Sequence, residues 1–252
     1  MNFVKKHKQL YKENAKQEYG IKKIENRTLS YYFFSNPKAS QTIIFIHGSP
    51  GSKDAYAFYM NHPDLRQKYS LLAVDRPGYE NSKIKRVERS LENQSRLLHK
   101  LIKSTIDSNH KVTLVGHSFG GPIIARIAMD YPNHYNQLIF LAASVSPDLE
   151  KPTWYQKLGN SPLFHWILPK GLKISSQEIF SLKPELEKID YKSIKQDTII
   201  LHGQKDDLVP IGNLDFMKQV FINPSYKVYP QENHFIPWTQ STDIAYIILN
   251  GL

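Results

Sequence analysis

The chain has 252 residues, a net charge of +10 and no cysteine, which excludes disulfides, thiolate metal sites and cysteine catalysis. Its length suits one large domain with a buried core, and no run approaches the about eighteen apolar residues that span a bilayer. The basic residues are dispersed, with the densest runs at Lys5-Lys6-His7-Lys8 and Lys83-Ile84-Lys85-Arg86, and no zinc-finger, arginine-rich or aromatic-basic signature points to a nucleic-acid partner.

Residues 1–18 place Phe3, Val4, His7, Leu10 and Tyr11 at helical spacing between lysines. A solvated basic arm is the expectation, with an amphipathic helix on a membrane surface as the alternative. No apolar signal-type segment occurs there, so the cytoplasm is the default compartment, and an exported protein supplied without its leader is the other reading. Tyr19 to Ile24 and Thr28 to Phe34 read as a hairpin turning at Glu25-Asn26, and Thr42 to Ile46 as a strand buried on both faces. That strand runs into the small-residue loop His47-Gly48-Ser49-Pro50-Gly51-Ser52. Asp54 to Tyr69 predicts a helix interrupted near Pro63, Leu71 to Val74 a buried strand, and Val87 to Ile106 a long helix.

Val112 to Val115 is the next strand and Ile123 to Met129 a helix, with Gly116-His117-Ser118-Phe119-Gly120-Gly121-Pro122 between them. So short a strand-to-helix turn puts Ser118 at its apex in strained φ/ψ, projecting into solvent, and needs small neighbours two residues away on either side. This is the nucleophile-elbow pattern. Gln137 to Ala142 is a further strand. Residues 144–196 then carry Trp154, Phe164, Trp166 and other aromatics between prolines, too aromatic for a linker, and predict a compact helical insertion. Thr198 to Leu201, a helix over Ile211 to Phe221, a strand over Ser225 to Tyr229 and a closing helix over Phe235 to Leu249 complete the chain. Alternating strands and helices predict an α/β fold with a mostly parallel central sheet flanked by helices. The organisation expected is an arm (1–18), a core (19–143 and 197–252) and a lid insertion (144–196).

A serine nucleophile needs a base, and the base an acid that holds its tautomer. Asp206, after the Thr198 to Leu201 strand, and His234, after the last strand, are the candidates in strand-end loops. Asp207 competes with Asp206, and the spacing from Gly203 favours Asp206. His47, His117 and His202 read as loop-packing or supporting residues, and His62, His99, His110, His134 and His165 have no partner motif. No metal-ligand spacing is present.

The motifs His47-Gly48-Ser49-Pro50-Gly51, Asp75-Arg76-Pro77-Gly78-Tyr79, Gly116-His117-Ser118-Phe119-Gly120-Gly121, His202-Gly203-Gln204-Lys205-Asp206 and Asn233-His234-Phe235 follow one another in order. With them the chain resembles the α/β-hydrolase-fold superfamily, in its group of serine esterases, lipases and C–C hydrolases. The resemblance implies a Ser118–His234–Asp206 triad, an oxyanion hole from the amides of Ser49 and Phe119, no cofactor, and a small acyl substrate. Where the family usually has glycine after Tyr79, this chain has Glu80, so either that backbone avoids positive φ or its loop is altered. The activity implied is hydrolysis of a carboxylic ester or similar acyl compound. Amide or aminopeptide cleavage and C–C hydrolysis on the same triad remain open, as does a ligand-binding receptor on a hydrolase scaffold.

Trp154, Phe164 and Trp166 are the insertion side chains expected to line the substrate pocket. Truncating a true pocket residue to alanine should raise KM, or shift acyl-length preference, more than it lowers kcat. A kinetic series on esters of increasing acyl length checks this, with thermal melts confirming the fold.

Overall fold

The computed structural model describes residues 18–82, 87–150 and 170–252. The strands are β1 (Glu18–Ile24), β2 (Arg27–Phe34), β3 (Gln41–Ile46), β4 (Ser70–Val74), β5 (Lys111–His117), β6 (Gln137–Leu141), β7 (Asp197–Gly203) and β8 (Ser225–Tyr229). The helices are α1 (Ala57–Met60), α2 (Pro63–Lys68), α3 (Leu91–Lys103), α4 (Gly120–Asp130), α5 (Lys170–Leu186), α6 (Gly212–Val220), α7 (Ile236–Thr239) and α8 (Ser241–Asn250). No helix among the described residues is long and apolar enough to cross a membrane.

The strands form one sheet in the order β1-β2-β4-β3-β5-β6-β7-β8. The β1/β2 and β2/β4 pairs are antiparallel and every other pair is parallel. Alternation within each strand explains why the apolar runs are continuous. Ile44 and Ile46 face one core with Leu72 and Val74, while Ile43 and Phe45 face the other with Leu71 and Ala73. The first core is closed by α3 and α4 through Leu97, Leu101, Ile123 and Ile127. Tyr56, Met60, Leu65, Ile244 and Ile248 close the second.

The strand order reverses at β3. The chain leaves β3 for β4 on one side and returns through β5 on the other, so the loops at their carboxyl ends diverge and leave a crevice. Ser49 and Ser118 belong to those two loops.

Several expectations need correction. The long helix runs only from Leu91 to Lys103 rather than over 87–106; it starts late because the Ser90 side chain caps it by accepting the Asn93 amide at 3.2 Å, and it ends at Ser104. Glu88, inside the span expected for this helix, instead precedes it and pairs with Arg27 at 2.7 Å. The closing helix is two pieces broken at Gln240, whose side chain donates to Glu232 at 2.7 Å. Pro237 sits in the first turn of α7, where its missing amide costs nothing. β1 begins at Glu18, the last residue assigned to the arm. Within the segment expected as an insertion, Leu182, Leu186, Ile189, Tyr191 and Ile194 pack into the first core. Residues 1–17 and the expected pocket residues Trp154, Phe164 and Trp166 lie outside the described residues.

Glu80 keeps the left-handed backbone that glycine would favour, at φ 39°, with an exposed side chain. A β-carbon there is strained by about 1 kcal/mol or somewhat more, which the lost chain entropy of a glycine partly offsets. Glu80→Gly should therefore raise Tm by roughly 1–4 °C. Glu80→Val, β-branched, should lower it. Thermal melts of the two variants check the sign.

Candidate active site

Ser118 follows the last residue of β5 with φ 54°, and α4 begins two positions later at Gly120. Its amide donates to Leu141 O at 3.0 Å, and its carbonyl accepts from Gly121 N at 2.9 Å and Ser144 N at 3.3 Å. The turn is too tight for a side chain on either flank. A β-carbon on Gly116 would sit 2.5 Å from Gly120 O, and one on Gly120 would sit 2.2 Å from Ile46 O. The Ser118 side chain is half-buried rather than projecting freely into solvent. Among the described residues its hydroxyl carries no hydrogen bond, so it is free to rotate, and such bonds commonly tighten only with substrate bound.

The acid and base loops come together at the ends of β7 and β8. Gly203 permits this, because a β-carbon there would meet Asn233 O at 2.4 Å and Glu232 O at 2.5 Å. Asp206 Oδ1 accepts the amides of Leu208 at 3.0 Å and Val209 at 2.8 Å, and Oδ2 accepts His234 Nδ1–H at 2.8 Å. His202 donates Nε2–H to Val209 O at 2.9 Å and lies 3.5 Å from Asp206 Oδ2, so it braces the loop that holds the acid. Burial works to raise the Asp206 carboxyl. The hydrogen bonds from His202, His234 and the Val209 amide, with the charge of His234, outweigh it and hold the group below the usual carboxylate range. Asp207 is exposed and has none of these contacts.

Donation from Nδ1 leaves His234 Nε2 with its lone pair, the tautomer a base needs. The His234 carbonyl accepts from His117 Nε2 at 3.1 Å, and the two rings lie 4.7 Å apart. His117 thus carries the base's loop against the residue next to Ser118. Burial, then the neighbouring His234, pushes His117 down to about 3, so it stays neutral. His47 is likewise held neutral, chiefly by burial, and donates Nδ1–H to Gly48 O at 2.7 Å.

Ser49 ends the turn after β3, and Phe119 is the N-cap residue of α4. Among the described residues neither amide is engaged by another backbone carbonyl.

Reading the sequence missed Glu178, on α5. It is fully buried and accepts from Arg76, Tyr79, Gln94 and Ser49. Nothing in its sequence neighbourhood separates it from a solvated helix residue. The signal lies in its partner, since Arg76 sits in a strand-end motif beside Asp75 where a charge needs compensation.

Elsewhere, His99 stacks on Tyr131 at 3.6 Å and bonds the Tyr135 hydroxyl at 2.8 Å. His110 bonds Thr42 at 2.9 Å, and His134 packs edge-on to His99 at 5.0 Å. His62 packs against Phe58 at 5.4 Å, and His165 lies outside the described residues. None of those described adjoins the crevice. No group of His, Asp or Glu among the described residues is arranged to hold a metal ion.

Residues 41–168 match the family model described as the alpha/beta hydrolase fold. The dihydrolipoyllysine-residue acetyltransferase component of the acetoin cleaving system from Cupriavidus necator is 32% identical over 109 residues, covering 43% of this chain and 27% of that protein. The hydrolase YugF of Bacillus subtilis, named as uncharacterized, is 27% identical over 122 residues, covering 48% of this chain and 43% of its own. The matched stretch therefore spans less than half the length of either relative. Among solved structures, an esterase from Exiguobacterium antarcticum superposes with a TM-score of 0.71 at 18% identity, covering 91% of this chain and 97% of the esterase. That likeness is one of fold.

The different surroundings of the two aspartates give a direct test. Asp206→Asn should reduce ester turnover by roughly four powers of ten, because the amide presents the wrong partner to His234 Nδ1. Asp207→Asn should change it less than about twofold, as a surface substitution. Steady-state kinetics of the two purified variants decide between them, and equal losses would move the acid elsewhere.

Proposed function

The chain belongs to the α/β-hydrolase fold family, and from that premise we propose that it is a serine hydrolase cleaving a carboxylic ester or a similarly activated acyl compound. Ser118 Oγ attacks the acyl carbonyl while His234 Nε2 takes its proton. Asp206 holds Nδ1–H and stabilises the imidazolium that forms. The carbonyl oxygen, now negative, is held by the amides of Ser49 and Phe119. His234 then gives its proton to the departing alcohol, leaving an acyl-serine. Water attacks this ester with His234 again accepting the proton, and collapse releases the acid and restores Ser118. Every step uses protein groups and water.

One observation carries the reading. The 2.8 Å bond from His234 Nδ1 to Asp206 leaves Nε2 as the nitrogen that can act as base, and His117, which binds the His234 carbonyl at 3.1 Å, directly precedes a serine held in left-handed backbone. An ester is the reading offered because its alkoxide leaving group depends less on full protonation than an amine does. The family membership supports hydrolase chemistry and is silent on the acyl group.

Ser118→Ala should lower turnover by at least about a thousandfold without loss of fold, in line with removal of a triad member. It should also abolish labelling by a fluorophosphonate probe. A variant that keeps a tenth of wild-type turnover would refute the mechanism, and an unlabelled, inactive wild type would favour a binding protein.

The base works only as free imidazole, so acylation should rise with pH and then level off. The sign for Asp206 is opposite in kind. Its folded carboxyl is depressed, so its contribution to stability is present above the unfolded carboxylate range and lost only as pH falls toward the lower folded value. A pre-steady-state pH profile, with melts at each pH, separates loss of base from loss of fold.

A further inference from the structure

Two fully buried, oppositely charged side chains meet behind the loop that carries Ser49. Arg76 NH1 and NH2 donate to Glu178 Oε1 and Oε2 at 2.8 Å and 3.0 Å, with no exposure of either side chain. Burying a guanidinium is tolerable only when it is paired and hydrogen-bonded, so Glu178 on α5 is a condition for Arg76 being there. Gln94 closes one edge, accepting from Arg76 NH1 at 3.0 Å and donating to Glu178 Oε1 at 3.2 Å.

What Arg76 holds is one peptide plane. Its NH2 donates to Gly48 O at 3.0 Å, and His47 Nδ1–H donates to the same oxygen at 2.7 Å. Arg76 N–H in turn donates to His47 Nε2 at 3.0 Å, which keeps the proton on Nδ1. The Gly48 carbonyl and the Ser49 amide belong to one planar peptide group and point in opposite directions. With the oxygen held from behind, the Ser49 N–H is directed away from Arg76, on a peptide whose first residue, Gly48, adjoins Ser118. A β-carbon on Gly48 would stand 2.9 Å from Ser118 Cβ. Donors on the carbonyl also polarise the group and strengthen its N–H as a donor.

The other end of Ser49 is tied as well. Tyr79 donates its hydroxyl to Glu178 Oε2 at 2.6 Å. Ser49 Oγ lies 2.8 Å from that oxygen and 2.7 Å from the Tyr79 hydroxyl. The Arg76 guanidinium, finally, lies 4.6 Å from the ring centres of both Tyr79 and Phe119. It therefore touches Phe119, whose amide is one donor of the proposed oxyanion hole, and through Gly48 O it holds the peptide plane that carries the other, the Ser49 amide.

We propose that Glu178, acting through Arg76, Tyr79 and the Ser49 hydroxyl, is a positioning residue that aims the Ser49 amide at the oxyanion. The hole is then complete only when α5 is docked against the loops after β3 and β4. This rests on the serine-hydrolase reading above. The consequence is a transition-state effect without a ground-state one, because Glu178 itself is sealed from the crevice.

The test uses the full-length protein with Glu178→Gln, Tyr79→Phe and Ser49→Ala, assayed on p-nitrophenyl esters and with an aryl trifluoromethyl ketone, whose adduct with a serine places a negative oxygen in the hole. Glu178→Gln should lower kcat by about 10- to 100-fold, somewhat less than deleting an oxyanion donor outright. KM should stay within about twofold, since uniform binding is untouched. Inhibition by the ketone should weaken by the same factor as kcat/KM falls, and the midpoint of the pH profile should not move. Tyr79→Phe and Ser49→Ala each remove one hydroxyl and should show the same pattern at about 3- to 10-fold. They carry the test if Glu178→Gln does not fold. Folded variants with kcat within about twofold of wild type, or with their loss in KM, would overturn the positioning role and leave the hydrolase reading standing. A wild type that neither turns over an ester nor takes a fluorophosphonate label at Ser118 ends both.

Discussion

The left-handed backbone at Ser118 is the constraint on which the surrounding architecture depends. A residue with a β-carbon at φ 54° costs free energy and persists only when its neighbours over-determine it. Here they do so from three directions. Leu141 at the end of β6 takes the Ser118 amide, the first turn of α4 takes its carbonyl, and Ile46 of β3 lies close enough to Gly120 to exclude any side chain there. Each of those contacts requires β5 to lie between β3 and β6 in parallel register, so the elbow and the sheet order are one condition. The reversal at β3 then opens the crevice above the same point.

Around this rigid centre the loops are held by charges buried in pairs. Asp75 and Arg76, consecutive after β4, are both fully buried, and each is answered from elsewhere in the chain. Lys53 reaches Asp75 at 2.7 Å, and Glu178 reaches Arg76. Removing one member of such a pair leaves an uncompensated charge, at a cost of about 3–5 kcal/mol. That anchoring explains how the loop tolerates Glu80 in a left-handed conformation a few residues later. Asp206 is held differently, by two amides and two histidines, with its side chain equally sealed from solvent. Fixed dipoles and paired charges, set before substrate arrives, are what electrostatic catalysis of acyl transfer requires.

Much of this was legible in the residues themselves. Continuous apolar runs such as Ile43 to Ile46 announce strands buried on both faces, and alternating helices imply a parallel sheet. Gly116, Gly120 and Gly203 mark the places where backbones touch, which is why the elbow and the acid loop stand out. Helix ends were read less well. The cap at Ser90 and the break at Gln240 depend on single hydrogen bonds that outweigh the propensity of the residues beyond them.

The sequence by itself determined the strands, the tight turn that carries Ser118, and the identity of the titratable residues in strand-end loops, because each follows from local sterics and period. Only the tertiary structure decided which charges are sealed away and with whom. Glu178 and Arg76 stand 102 positions apart, and no local rule distinguishes a buried glutamate on a helix from a solvated one. Their pairing depends on how α5 packs over the loops beyond β3 and β4, and burial is a property of that packing rather than of the residues.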